Sequence, residues 1–129
     1  MRVLLDTHAW LWMAMDPDRL RAESRDLMVD PDNQVLLSVA STWEIAIKYR
    51  LGKLSLPRPP AYFLPDLMAR MRIEDLPIES RHALRVAELP DHHRDPFDRL
   101  LVAQAMVEGL PVVSADPQVA RYDVTVIPA

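Results

Sequence analysis

Val3-Leu4-Leu5-Asp6-Thr7-His8 begins with three apolar residues, stops at a carboxylate and runs into a helix signal. A short apolar run bounded in this way reads as a buried strand, and Thr7 is a plausible cap for the helix behind it. Residues 8–15, His8 to Met15, are helical in pattern and apolar nearly all round, and Asp16-Pro17-Asp18 ends them. The alternation continues outward. Residues 18–30 predict a second, more polar helix closed by Asp30-Pro31-Asp32-Asn33. Gln34-Val35-Leu36-Leu37-Ser38 reads as a second strand. Ser41-Thr42-Trp43-Glu44 has the form of a capping box and opens a helix to about Leu51, with Gly52 behind it. A Pro-rich loop over 53–60 leads to a helix over about 60–72, whose early part Pro65 disturbs. Ile73-Glu74-Asp75-Leu76 is a possible short strand and 79–88 another helix. Asp95-Pro96 suits an N-cap followed by proline, opening a helix from Pro96 to Glu108 that closes at Gly109. Leu110 to Ser114 reads as a strand, Asp116-Pro117 as a further helix start and Val124 to Ile127 as the last strand. Strands alternating with helices predict an α/β sandwich on a parallel sheet.

The chain has 129 residues, half of them hydrophobic, which is enough for one core and one domain over 1–129. Cysteine is absent, so a disulfide framework and thiolate chemistry are excluded. Met1-Arg2-Val3-Leu4-Leu5-Asp6 reaches a carboxylate too soon for a signal peptide, and no apolar run approaches the roughly 20 residues of a membrane span. The expectation is a cytoplasmic protein with no membrane association. The net charge of −4 weakens any reading as a passive binder of nucleic acid, which is normally basic. It agrees with an enzyme that gathers carboxylates to hold cations. With two glycines and no Gly-rich phosphate loop, ATP or dinucleotide binding is not expected.

Four acids stand out by position. Asp6 follows the first strand and Glu44 lies in the first turn after the second. Asp98 opens the helix after His92-His93-Arg94, and Asp116 follows the Val112-Val113-Ser114 strand. Ligand sites in open parallel sheets gather outside the carboxyl ends of strands, so Asp6, Glu44 and Asp116 would face one edge, and Asp98 could join them. Each also has a structural explanation. Acidic side chains cap helices, Glu44 can be the back-bonding member of its capping box, and Asp98 can pair with Arg94 or Arg99. Together they repel one another unless a cation joins them. Oxygen ligands without cysteine favour Mg²⁺ or Mn²⁺, which can activate water and stabilise a leaving oxygen.

Leu4-Leu5-Asp6-Thr7, Ser41-Thr42-Trp43-Glu44-Ile45-Ala46-Ile47-Lys48, Asp95-Pro96-Phe97-Asp98-Arg99-Leu100-Leu101-Val102-Ala103-Gln104-Ala105 and Val112-Val113-Ser114-Ala115-Asp116 resemble, in order, the four acid-bearing segments of PIN-domain ribonucleases. Among these the chain looks most like the VapC-type toxins of toxin–antitoxin pairs. The resemblance spans residues 3 to about 127. It implies a three-layer α/β/α sandwich with a central parallel sheet of four to five short strands. It also implies metal-dependent cleavage of RNA, and a homodimer neutralised by a small antitoxin. The acids carried over are Asp6, Glu44, Asp98 and Asp116, with Asp6 and Asp98 the first choice as metal ligands. His8 stands where many relatives have Asn. Asp95 lies close to Asp98 and competes with it for the third place; Asp98 matches the acid before the Leu-Leu-Val-Ala run, and Asp95 suits the N-cap.

Thr7, Lys48, Arg94, Arg99 and Ser114 are the candidates for RNA contact on this reading. Lys48, Arg50 and Lys53 can equally be a solvated helix face, with Glu44 and Lys48 an i,i+4 pair. His92-His93-Arg94 reads as a polar loop, because its spacing fits no zinc motif. Trp10, Trp12 and Met13 make a stretch that either packs the core or takes part in docking an antitoxin helix near residues 8–15 and 18–30. Two other functions fit the same pattern: a PIN-like binding module whose acids are only caps, and a metal-dependent nuclease acting on another nucleic acid.

Overall fold

The computed structural model describes residues 1–129. Five strands form one fully parallel sheet: β1 (Arg2–Leu5), β2 (Gln34–Ser38), β3 (Ile73–Leu76), β4 (Val112–Ser114) and β5 (Val126–Pro128), in the order β3-β2-β1-β4-β5. The helices are α1 (Thr7–Met15), α2 (Ala22–Val29), α3 (Val39–Arg50), α4 (Pro60–Met71), α5 (Ser80–Arg85) and α6 (Pro96–Glu108), with 3-10 turns at Pro17–Arg19, Val86–Glu88 and Val119–Arg121. No helix is long and apolar enough to cross a membrane.

The strands alternate between two cores, as a pleated sheet covered on both faces must. Val3, Leu5, Val35, Leu37 and Val113 join Ala9 and Trp10 of α1, Met28 of α2 and Leu64 and Met68 of α4. Leu4, Leu36 and Val112 point to the opposite face, against Leu101, Val102 and Ala105 of α6. Register keeps the faces apart: Leu4 lies beside Leu36 and Val112, Leu5 beside Leu37 and Val113. The expected three-layer sandwich is therefore what the chain builds. Gln104, fully buried in α6, is tied to the end of β2 by the Ser38 hydroxyl and donates to the Pro77 carbonyl at 3.2 Å.

Several local expectations are corrected. The helix over 18–30 is a 3-10 turn followed by α2, because Leu20 buries its side chain from an extended backbone position between them. Asp6, not Thr7, caps α1, its Oδ1 accepting from the His8 amide at 2.8 Å. The cap of α3 is Ser38, whose Oγ accepts from the Ala40 amide; Ser41 is already inside the helix, so no capping box forms at 41–44. Pro65 lies within α4 without interrupting it, and the flanking Leu64 and Met68 anchor the helix to the core. Asp116-Pro117 opens a turn rather than an α-helix, and the last strand begins at Val126. Trp10 is fully buried and offers no surface to a partner, whereas Leu11, Trp12 and Met13 pack against the core while remaining partly accessible. Arg19 covers the Trp12 ring, its guanidinium 4.7 Å from the centroid.

The order of the strands fixes the place of a ligand site. The chain leaves β1 toward β2 and β3, then returns to lay β4 on the other side of β1. A crevice opens outside the carboxyl ends where the direction reverses, here at β1 and β4.

Candidate metal centre

Asp6 leaves the end of β1 at that reversal and is nearly buried. Both its oxygens are fixed: Oδ1 by the His8 amide, and Oδ2 by the Ser114 hydroxyl, which donates at 2.8 Å. Ser114 ends β4, and its Oγ also accepts from the Asp116 amide at 3.0 Å. One hydroxyl therefore connects the first acid to the backbone of the last. It faces inward and is 3 % exposed, so Ser114 positions the acids and is corrected as an RNA contact. Thr7 donates to the Ser41 hydroxyl at 2.7 Å, tying α1 to α3.

Glu44 lies in the second turn of α3, not the first, so it cannot be part of a cap. It is buried, and Lys48 one turn on donates to its Oε2 at 2.7 Å. That hydrogen bond raises the Lys48 pKa, against the effect of burial and with help from the charges of Glu44, Asp95 and Asp98.

Asp95 and Asp98 divide the work at the start of α6. Asp95 is the N-cap, its Oδ1 accepting from the Phe97 and Asp98 amides. Asp98 is half-buried, and its carboxylate receives no hydrogen bond and no ion pair. Burial first, then the charge of Asp95, push its pKa up to about 6; Asp6 and Glu44 add to the effect and His93 opposes it.

Asp116 behaves differently. Burial would raise its pKa, but hydrogen bonds from His93 and the Gln118 amide outweigh it, with the charges of His93 and His8 acting in the same direction, and the carboxyl sits below its usual value. Its Oδ2 meets His93 Nε2 at 2.8 Å and its Oδ1 accepts from the Gln118 amide at 2.8 Å. Donor atoms of His93, Asp98 and Asp116 all lie within 4.8 Å of one another.

The structure thus brings Asp98 and Asp116 together, with Asp6 and Glu44 close enough for their charges to act on Asp98. It adds His93, which reads as part of a polar loop in the sequence. No local signal marks it, since its partners Asp116 and Tyr122 lie 23 and 29 residues away. Arg99 is corrected as an RNA contact. Its guanidinium donates to the carbonyls of Pro90 at 2.9 Å and Val86 at 3.1 Å, and more weakly to Leu89 and His93. It ties the loop carrying His93 to α6. Arg94 is exposed and makes no ion pair. Trp43, beside Glu44 in sequence, is exposed and packs edge-on against Phe97, the neighbour of Asp98, with centroids 5.1 Å apart.

The donor set fits a divalent cation. Carboxylate oxygens dominate it, and one half-buried carboxylate has no other partner to neutralise it. A second constellation, Glu79, His82 and Glu108, also places its donor atoms within 4.8 Å. There the Glu79 amide donates to His82 Nδ1 at 3.0 Å, leaving Nε2–H to donate to Glu108 at 2.8 Å, and Arg81 pairs with both acids. Each of its three side chains has a partner.

Residues 3–124 match the PIN domain family. Among curated proteins, ribonuclease VapC16 of Mycobacterium tuberculosis is 48% identical over 60 residues, which cover 46% of this chain and 43% of that protein. The shared stretch is thus less than half of that relative. Ribonuclease VapC22 of the same organism is 27% identical over 120 residues, covering 93% of this chain and 91% of that protein. Among solved structures, VapBC-5 of M. tuberculosis, a member of the VapBC family of toxin–antitoxin systems, superposes with a TM-score of 0.63 at 23% identity, covering 99% of this chain and 98% of that one. With nearly its whole length matched and the four acid-bearing segments in place on a five-stranded parallel sheet, the chain belongs to the PIN domain family.

Proposed function

We propose that this PIN domain is a divalent-metal-dependent endoribonuclease that cleaves RNA phosphodiester bonds and forms the toxin half of a toxin–antitoxin pair. Asp98 carries the reading. A half-buried carboxylate with no donor, raised to about 6 by burial and by surrounding acids, is a costly arrangement that a cation relieves. Asp6 and Asp98 hold the cation, Asp116 and Glu44 complete the acidic shell, and Mg²⁺ or Mn²⁺ suits these oxygens. A cation bound there supplies Lewis acidity to a phosphate oxygen and makes a coordinated water more acidic. The protein's own part is to fix the acids before substrate arrives. Ser114 and the His8 amide hold Asp6, Lys48 holds Glu44, and His93 with the Gln118 amide holds Asp116. Arg94, exposed and without an ion pair, is free to meet phosphates; Lys48 reaches one only by sharing its ammonium with Glu44, and Thr7 by sharing its hydroxyl with Ser41.

The ribonuclease names of the two relatives support the substrate. The toxin–antitoxin family of the solved neighbour supports the partner, a small antitoxin protein, and the homodimer belongs to the same reading. The partly accessible Trp12 and Met13 of α1 are the candidate antitoxin contacts, since that helix starts beside Asp6. The deciding experiment incubates the purified chain with total RNA, and separately with single-stranded DNA, in Mg²⁺, Mn²⁺ or EDTA. RNA cleavage in metal, absent in EDTA and in Asp98→Asn, is expected. Metal-supported cleavage of DNA alone would move the substrate, and no cleavage of either would leave a binding module. Co-expression with the protein of the adjacent reading frame tests the partner; Trp12→Ala is expected to weaken the complex, and unchanged affinity would place the interface elsewhere.

A further inference from the structure

We propose that His93 is a positioning residue: held by Tyr122, it aims the Asp116 carboxylate and thereby sets the affinity of the site for its cation. The inference rests on the metal centre proposed above, but not on RNA being the substrate.

The ring orientation follows from the partners. A carboxylate only accepts hydrogen bonds, so Nε2, at 2.8 Å from Asp116 Oδ2, carries a proton whether the ring is neutral or charged. Nδ1 lies 2.9 Å from the Tyr122 hydroxyl, which donates to it in the neutral ring and accepts from it in the charged one. The Tyr122 ring also lies parallel to the imidazole, at 4° and 5.5 Å between centroids, and His92 closes on the same tyrosine edge-on. The His93 side chain is 8 % exposed. The backbone of the loop is held in turn by Arg99, which donates to the Pro90 carbonyl and, at longer range, to the His93 carbonyl. Ring plane, the aim of Nε2 and backbone are therefore each fixed by a separate contact.

Asp116 needs such a device more than the other acids do. Asp6 caps a helix and Glu44 sits within one, so their backbones are set by regular structure. Asp116 follows β4 in a turn, where the Gln118 amide fixes only one of its oxygens. The second oxygen is fixed by His93. A carboxylate already oriented loses less rotational freedom on taking up a cation, and partners of this kind are worth about 10–100-fold in affinity or activity.

The test is Mn²⁺ binding by the full chain, followed by electron paramagnetic resonance, alongside cleavage at varied Mn²⁺. His93→Phe keeps a stacked ring without a donor. His93→Gln places an amide N–H near the position of Nε2. Tyr122→Phe keeps the stack and removes the hydroxyl. His93→Phe is expected to weaken Mn²⁺ binding about 10–100-fold, His93→Gln to recover most of it, and Tyr122→Phe to fall between. Cleavage should return to within a few-fold of the parent at saturating Mn²⁺. Should His93→Phe fail to fold, the other two variants carry the comparison. Parental Mn²⁺ affinity in His93→Phe, or in Tyr122→Phe together with no recovery by a folded His93→Gln, overturns the positioning role. A parent that binds Mn²⁺ and cleaves no RNA overturns the nuclease reading alone. A parent that binds no Mn²⁺ removes the metal centre and this inference with it.

Discussion

Two places in this molecule gather a histidine and two carboxylates within the same few ångströms. Around His82 the acids are Glu79 and Glu108; around His93 they are Asp98 and Asp116. Residue types and spacing do not separate the two, but hydrogen-bond satisfaction does. At His82 each nitrogen and each carboxylate has a partner, and Arg81 supplies a balancing charge. The result joins α5 to α6. At His93 one carboxylate has no donor, and of the acids around it Glu44 and Asp95 are answered by the charge of Lys48, while Asp6 has only neutral donors from the His8 amide and Ser114. A cluster of ligand-type residues therefore points to a cation only where one member remains unneutralised.

The sharpest way to break this contrast is to neutralise one acid in each cluster. Asp98→Asn is expected to reduce cleavage by more than the roughly 100-fold that loss of an outer partner costs, with the metal-free melting temperature unchanged or higher. Glu108→Ala is expected to leave the rate per folded molecule unchanged. It should lower stability by about 1–3 kcal/mol, the cost of stranding the buried His82 donor. Initial rates and thermal melts on the same preparations decide. A rate loss in Glu108→Ala to match that in Asp98→Asn would erase the distinction.

Metal response comes next in size. Saturating Mg²⁺ or Mn²⁺ at a hundredfold excess over its dissociation constant should stabilise the parent by about 2.7 kcal/mol. Glu108→Ala should show the same increment, and Asp98→Asn little or none, as read by the shift in thermal midpoint.

The two clusters also predict pH slopes of opposite sign. The Asp98 carboxyl is raised from 3.8 to about 6, so the folded chain binds the extra proton between those values, and metal-free stability falls as pH rises through that window. The Glu108 carboxyl is lowered, by the His82 hydrogen bond against burial and with the charges of Arg81, His82 and Arg2. Its contribution is present above its usual value and is lost as pH falls through the lowered one. Melting temperature against pH for the parent, Asp98→Asn and Glu108→Gln separates the two. An unchanged slope between pH 4 and 6 in Asp98→Asn would count against the assignment.

The smallest effect is expected at Asp95. Asp95→Ala should cost about 1 kcal/mol through the lost cap of α6, and Asp95→Ser should restore most of it. Both should move the Asp98 carboxyl downward by removing a neighbouring charge, which a pH titration of cleavage in excess metal would register.

The sandwich is readable because its signals are local: short apolar runs ended by Asp6, Ser38 and Ser114, and helices followed by glycine or entered through proline. The same locality explains the errors. Ser41-x-x-Glu44 satisfies a capping pattern, but β2 passes into α3 with no loop, and Ser38 serves as both last strand residue and cap. Trp10 and Trp12 look alike in sequence, and only the packing of α1 places the first wholly inside. Ser114 and Arg99 have the chemistry of phosphate contacts; their partners, an acid 108 residues away and a ring of loop carbonyls, are invisible along the chain. His93 was missed for the same reason.

The hydroxyl of Ser114, on the strand next to β1, bears on how the protein is made. Asp6 leaves the ribosome well before its second oxygen can be satisfied, because the partner is synthesised 108 residues later. Asp116, His93 and Tyr122 likewise follow long after Asp6. A nascent chain that has not passed β4 holds Asp6 without the neighbouring strand that orients it, so the centre closes only once β4 and the turn behind it have been made.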